Sequence, residues 1–320
     1  MTTAVLTQAA PLSSRLWAWM QERFPVANAL LFFILYLTTA AVVRSVTADS
    51  GLSISLLDLS GCLVTWSFFL LLRVFDEHKD YALDCQNHPQ RVLQSGLITL
   101  GHLKALGVTA VLAQLGYSLW LDQGLGQVTF SWLALMGWTL LMGKEFFIGD
   151  WLNRHLTCYA VSHMLVMPLV VFWLANLAEP GIALSLELKA MILLAFISGF
   201  CFEITRKTKG PEEERDTIES YSRIFGTRGS ALLVILLVTA MLVCQLWLLF
   251  LLAGTPSTWA LIVLGAFYCL ALRQLSAFLS APSAALREKN EAVVALDMLA
   301  GYAVIIAVSL ITHGVAVHLS

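Results

Sequence analysis

Residues 61–84 read GCLVTWSFFLLLRVFDEHKDYALD, and the chain changes character at Phe75. Before that point the run is apolar apart from Arg73; after it come four carboxylates, Asp76, Glu77, Asp80 and Asp84. A segment apolar on every face belongs inside a protein or inside a membrane. The rest of the chain decides between them: of 320 residues, 58% are hydrophobic and 12% charged, and the mean hydropathy is +0.79. Lipid is the solvent that suits this composition.

Apolar runs long enough to cross about 30 Å of hydrocarbon, roughly 20 residues each, recur near 26–43, 54–74, 103–121, 128–143, 161–177, 186–202, 231–253, 258–278 and 293–316. Backbone groups in lipid must be satisfied within their own segment, so each run is expected to be an α-helix. The expected fold class is all-α, a polytopic transmembrane bundle of about nine helices. No linker rich in Pro, Gly or Ser and no low-complexity tract divides the chain, so residues 1–320 read as a single domain.

Charge gives the orientation. Of the 19 Lys and Arg, only Arg44 and Lys189 lie on or beside the loops after odd-numbered spans; the other seventeen precede span 1, follow even-numbered spans or sit at the adjoining helix ends. The positive-inside rule then places the N-terminus and the loops 74–102, 144–160, 203–230 and 279–292 in the cytoplasm. The expectation is an integral protein of the inner, cytoplasmic membrane with its acidic stretch facing the cytoplasm. No removed signal peptide is expected, because a basic start followed by a short apolar run and a small-residue cleavage site is lacking. Within residues 1–25, the segment LSSRLWAWMQERF, 12–24, mixes Trp and Phe with Arg and Glu as an interfacial helix does. A net charge of -2 and a pI near 6.4 argue against a nucleic-acid partner, which needs a basic excess. Six cysteines form no CxxC pair and read as small packing residues.

Two loops on that side, about 74–102 and about 203–230, are longer than the other connections and mix acids with bases, so they are predicted to converge on one site. Asp76, Asp80 and Asp84 are spaced i, i+4, i+8; at about 100° per residue, all three share a sector of about 80° on a helix. Carboxylates stacked that closely repel one another and call for a cation. Glu77 flanks the same site. A hard divalent ion such as Mg2+ binds through one or two carboxylates plus substrate phosphates, and would stabilise a departing diphosphate. The bland alternative is a solvated helix end whose acids pair with Arg73, Lys79 and Arg91.

The stretch RVFDEHKDYALDCQNHPQRVLQSGLIT, 73–99, resembles the first signature of the UbiA-type intramembrane prenyltransferases, NDxxDxxxD followed by an RPxxxG-like segment. Asp76, Glu77, Asp80 and Asp84 fall on the four signature positions, with Asp and Glu replacing the usual Asn and Asp. Arg91 and Gly96 fall on the trailing segment, where Val92 replaces the usual proline. The nine spans and the two charged loops resemble the family over nearly the whole chain. The resemblance implies Mg2+ as cofactor, Asp76, Asp80 and Asp84 as catalytic residues, Asp76, Glu77, Asp80 and Asp84 as metal ligands, and Arg91 as a diphosphate ligand.

The family's second signature, DxxxD after the sixth span, is altered. Glu203 is followed at the fourth position by Lys207 where an acid is usual, and then by Glu212, Glu213, Glu214 and Asp216. Either glutamates replace the aspartates, so that Glu203 and Glu213 join the metal set, or Arg206 and Lys207 hold phosphate directly, one as a planar fork and one as a point charge. The family also places a lysine near Lys144 as a diphosphate ligand, and Tyr221 in ESYSRIFG resembles the segment after the second signature. His163 reads as a satisfied intramembrane histidine and stays outside the site. The implied activity is Mg2+-dependent transfer of an isoprenoid group from an allylic polyprenyl diphosphate to a small aromatic or lipid acceptor among the membrane lipids. The alternatives are a degenerate, non-catalytic member of the family and a cation-coupled membrane transporter, which predicts charged or broken helices near the bilayer midplane.

Overall fold

The computed structural model describes residues 7–47, 51–215 and 220–318. In chain order the helices are α1 Leu12–Arg23, α2 Ala29–Thr47, α3 Leu56–Lys79, α4 Tyr81–Asn87, α5 Leu100–Leu121, α6 Gln127–Gly143, α7 Gly149–Asn153, α8 Leu156–Met164, α9 Val166–Ala178, α10 Leu186–Arg206, α11 Tyr221–Ala253, α12 Thr258–Ser280 and α13 Ala284–His313. Two short strands, β1 Leu52–Ser55 and β2 Val315–His318, pair in parallel and tie the α2–α3 connection to the end of α13. The fold is the all-α membrane bundle expected from the apolar runs. Among the described residues, seven stretches are long and apolar enough to cross a membrane. The two further apolar runs became α5, which carries His102, Lys104 and Gln114, and α6, which is only 17 residues long.

The fifth apolar run is bent. Pro168 cannot donate a backbone hydrogen bond to the preceding turn, and the run divides into α8 and α9 at Leu165. Gly226, at φ 70°, puts a kink near the start of α11 in a backbone region that favours glycine.

Lipid tails are as apolar as leucine, so close packing and polar contacts between helices hold such a bundle together. α10 packs against α2, α9, α11 and α13 at the centre. Gln114 of α5 donates to Ser67 of α3 at 3.2 Å and accepts from the Trp132 indole of α6 at 3.1 Å, joining three helices through one side chain.

At the end of the bundle that carries the strands, Asp58 is buried and fully used. It accepts from the Arg44 guanidinium at 2.8 and 3.0 Å, from the Tyr36 hydroxyl at 3.1 Å and from the Ser55 amide at 3.0 Å. Gly61 makes room for this arrangement, since a Cβ there would fall 2.2 Å from Tyr36 Cζ. Arg44 reaches two partners besides Asp58, the Ser53 carbonyl at 2.7 Å and Glu179 at 3.3 Å.

Removing one member of a buried ion pair leaves the other uncompensated, at a cost of about 3–5 kcal/mol. Asp58→Ala is therefore expected to destabilise the protein by about 3 kcal/mol, the low end of that range because Glu179 remains beside Arg44. Denaturant unfolding in detergent checks this, and a change below about 1 kcal/mol would remove the network from the account of stability.

Candidate functional site

The acidic stretch of the first loop forms an almost continuous helix. The amide of Asp80 donates to the Asp76 carbonyl at 2.9 Å and that of Asp84 to the Asp80 carbonyl at 2.8 Å, so the three aspartates stand one turn apart although α3 gives way to α4 at Asp80. Their side chains nevertheless have different fates.

Glu77 is buried, 1% exposed, and its Oε1 accepts from Arg73 at 2.5 Å and from Arg23 of α1 at 2.6 Å. Asp84 is held by Arg91 at 2.8 Å and by Arg23 at 3.4 Å. Two of the four expected metal ligands are thus held closely by arginines, a third is paired more loosely, and Arg91 is engaged by an acid. Asp76 is solvent-accessible and lies only 3.7 Å from Arg73, and Asp80 has no side-chain partner among the described residues. Partial enclosure pushes the Asp80 carboxyl above the usual carboxylate range; the charges of Asp84, Glu145 and Glu77 push the same way, and Lys79 opposes them.

The second loop meets the first at this end. Glu203, near the end of α10, pairs with Arg206 at 2.8 Å and with Lys207 at 2.9 Å. Asp76 lies within electrostatic reach of both Glu203 and Arg206. Between the loops stands Tyr159 of α8, whose ring takes Lys79 Nζ at 5.0 Å and Lys207 Nζ at 5.5 Å from its centroid. Lys79 also donates to the Tyr159 hydroxyl at 2.6 Å and pairs with Glu145 at 2.7 Å. Both loops therefore place a lysine on one aromatic ring.

Of the other predicted residues, Tyr221 borders this junction, its amide donating to the Lys207 carbonyl at 3.0 Å, and the rest lie apart from it. Glu213 pairs with Arg287 of α13 at 3.0 Å, Glu212 accepts from the Ala284 amide, and Glu214 accepts from the Ser220 hydroxyl at 2.7 Å; these acids fasten the second loop to α13 and to the start of α11. Asp216 lies outside the described residues. Tyr221 is 1% exposed and its hydroxyl donates to the Leu156 carbonyl at 3.4 Å, so it forms part of the wall behind Glu203. Lys144 caps α6 and lines a groove between α3, α5 and α6. Among the described residues no group of three or more His, Cys, Asp or Glu side chains is drawn together as a metal cage.

Sequence reasoning missed Tyr159, Glu145 and Arg23. The bonds of Glu77 to Arg73 and of Glu203 to Arg206 and Lys207 had a local signal, the i, i+3 or i, i+4 spacing of opposite charges on a helix.

No protein-family model matches the chain, and no curated protein matches it. A solved structure of a digeranylgeranylglyceryl phosphate synthase in membranes is similar, with a TM-score of 0.64 and 17% identity over 93% of this chain and 99% of that one. At that identity the likeness shows a shared fold, that of a membrane protein.

The division among the acids predicts opposite effects on stability. A carboxyl whose pKa the fold raises binds its proton more tightly folded than unfolded, so its ionised form works against the fold at pH 7, and that cost fades as pH falls through the raised value. Asp80→Asn is therefore expected to melt at or above the temperature of the parent at pH 7. Glu77→Ala strands two guanidinium groups and is expected to lose on the order of 3–5 kcal/mol. Thermal melts of both variants in detergent make the comparison; a destabilised Asp80→Asn beside an unaffected Glu77→Ala would reverse the assignment.

Proposed function

We propose that the chain is an integral-membrane prenyltransferase that moves an isoprenoid group from an allylic polyprenyl diphosphate to a small aromatic or lipid acceptor. The observation that carries this reading is the meeting of two accessible carboxylates, Asp80 without a side-chain partner and Asp76 loosely paired with Arg73, with the basic end of α10, Arg206 and Lys207, at one end of the bundle. Support comes from the fold shared with a digeranylgeranylglyceryl phosphate synthase. Further support comes from the spacing of the first signature.

The residues present fit Mg2+ in its usual form. That ion keeps several waters and takes one or two carboxylates together with substrate phosphates, so it needs no ready-made cage. Asp76 and Asp80 would hold it, and when bound it supplies Lewis-acid neutralisation of the leaving diphosphate. Arg206 offers a planar fork to phosphate oxygens and Lys207 a compact charge. Glu203 holds both cations in place before the donor arrives, which lowers the ordering cost of binding. Lys79 is held at the same edge by Glu145 and Tyr159. In the transfer the bond from the allylic carbon to the diphosphate oxygen breaks, with the electron pair leaving on the diphosphate; the acceptor nucleophile supplies the new pair and loses its proton. Glu77, Asp84 and Arg91 position the first loop in this account, and Glu213 the second. The membrane's cytoplasmic face is the side that the distribution of Lys and Arg favours for this chemistry.

The carrier reading draws on Asp297, buried at 3% exposure within α13 with its Oδ2 unpartnered. One such carboxyl supplies too few ligands for a coupling metal cation, and the other charged groups gather where the two loops meet, away from it. The enzyme reading accounts for that gathering.

Pyrophosphate release tests the proposal, using detergent-purified protein with geranyl, farnesyl and geranylgeranyl diphosphates, Mg2+ present or chelated, and a membrane extract as acceptor. Release is expected to need Mg2+ and to fall more than about 100-fold in Asp80→Asn, beyond the usual cost of losing an outer-shell contact. Absence of release and of donor binding would favour the degenerate scaffold. Lys207→Ala is expected to weaken donor binding about tenfold or more, the value of a hydrogen bond to a charged group, and to leave acceptor binding unchanged. Equal losses for donor and acceptor would remove Lys207 from the phosphate site.

A further inference from the structure

A groove of about 560 Å³ lies between α3, α5 and α6. Its α3 wall includes Leu71, Val74, Phe75, His78 and Lys79, a stripe of positions at i, i+3, i+4, i+7 and i+8. At about 100° per residue, Asp76 and Asp80 lie about 100° and 140° around the helix from Phe75. The groove and the acidic face therefore look in different directions.

The groove opens sideways from the bundle. Leu112 of α5 and Leu140 of α6 line it and are 63% and 54% exposed. In a membrane-embedded bundle, such leucines face acyl chains. At the charged end the groove meets Lys79, Lys104 and Lys144, and no acid lines it. Lys79 is engaged by Glu145, whereas neither Lys104 nor Lys144 has an ion pair or side-chain hydrogen bond with any described residue.

We infer that this groove binds an anionic phospholipid, with an acyl chain along its apolar wall and the headgroup phosphate on Lys104 and Lys144. Basic pockets between transmembrane helices at the headgroup level recognise anionic headgroups in this manner. Simple snorkelling of lysines to the interface needs neither a groove nor an acid-free rim. A zwitterionic headgroup would bring its own ammonium beside two uncompensated cations, so the lining selects net negative charge. Gly143 lines the groove beside open space, since a Cβ built there meets nothing within 4 Å. Lys79 borders both the groove and the junction, but the two lysines assigned to the headgroup, Lys104 and Lys144, take no part in the proposed chemistry.

Native mass spectrometry of the full-length chain in detergent, titrated with phosphatidylglycerol or phosphatidylcholine of matched acyl chains, tests the inference. The parent is expected to retain phosphatidylglycerol preferentially. At about fivefold per lysine near a headgroup, Lys104→Gln with Lys144→Gln should weaken that retention on the order of thirtyfold while leaving phosphatidylcholine unchanged. Gly143→Leu adds bulk at a position where a Cβ has room and keeps both lysines; it is expected to reduce phosphatidylglycerol retention by occluding the chain. Equal retention of the two lipids by the parent, or parent-like retention by the double variant, would overturn the assignment. Displacement of phosphatidylglycerol by farnesyl diphosphate in the parent would overturn it too, by giving the groove to the prenyl donor.

Discussion

A single buried carboxylate, Glu77, fixes the end of α3 on which the rest of the charged site is built. Its ionised form could not stay in an apolar setting alone, and two guanidinium groups, Arg23 and Arg73, compensate it. Because Arg23 comes from α1, that compensation docks the N-terminal helix on the bundle. Trp19 is wholly buried in a cluster with Leu70, Val74 and Leu93, Arg15 donates to the Leu97 carbonyl at 2.8 Å, and Glu22 accepts from the Val92 amide at 2.9 Å. The first loop is thus strapped down along its length. Asp76 and Asp80 ride on a braced helix end, and a site built on rigid elements holds its geometry better than one on a free loop.

The opposite end of α3 carries the matching brace. Asp58 binds Arg44 and Tyr36 there, and the strand pair of β1 and β2 closes over the same region. Asp58 and Glu77 are nineteen positions apart, which at about 1.5 Å per residue is close to the roughly 30 Å of a hydrocarbon core. Two buried charge clusters therefore bracket the apolar length of one helix and set its height in the bilayer. Between them only weak polar contacts are needed, such as the Gln114 bridge to Ser67 and Trp132.

What the sequence made legible follows from the range of the interactions involved. Apolar length and backbone satisfaction act within one segment, so the bundle and the approximate helix count could be read directly. The aspartate spacing is also local, and the three residues do stand one turn apart. The fates of their side chains depend on partners far along the chain: Arg23 reaches Glu77 across 54 positions, and Arg287 reaches Glu213 across 74. Neither pairing leaves a periodic trace. Tyr159 is harder still, since nothing around it in sequence marks it as the ring on which Lys79 and Lys207 meet. Lys144 is the complementary case, because its place at the end of α6 was legible while the groove it lines depends on how α6 packs against α3 and α5.

The altered second loop makes physical sense once the charges at the junction are considered together. Asp76, Asp80, Glu145 and Glu203 are matched there by Arg73, Lys79, Arg206 and Lys207, so the unliganded junction carries no positive excess to attract a polyanion. On the proposed reading, a diphosphate must arrive with compensating cation charge, and Asp80 and the loosely paired Asp76 are the acids most open to take it. Were Lys207 a second free acid, more cation would be needed to reach the same balance. With a lysine at that position, α10 contributes fixed positive charge through a chain of short contacts, Glu203 to Arg206 and Lys207, that is already assembled. Fixed charge on a rigid helix end requires no reorganisation as the leaving group develops its own charge, and that is the condition under which electrostatic stabilisation is largest.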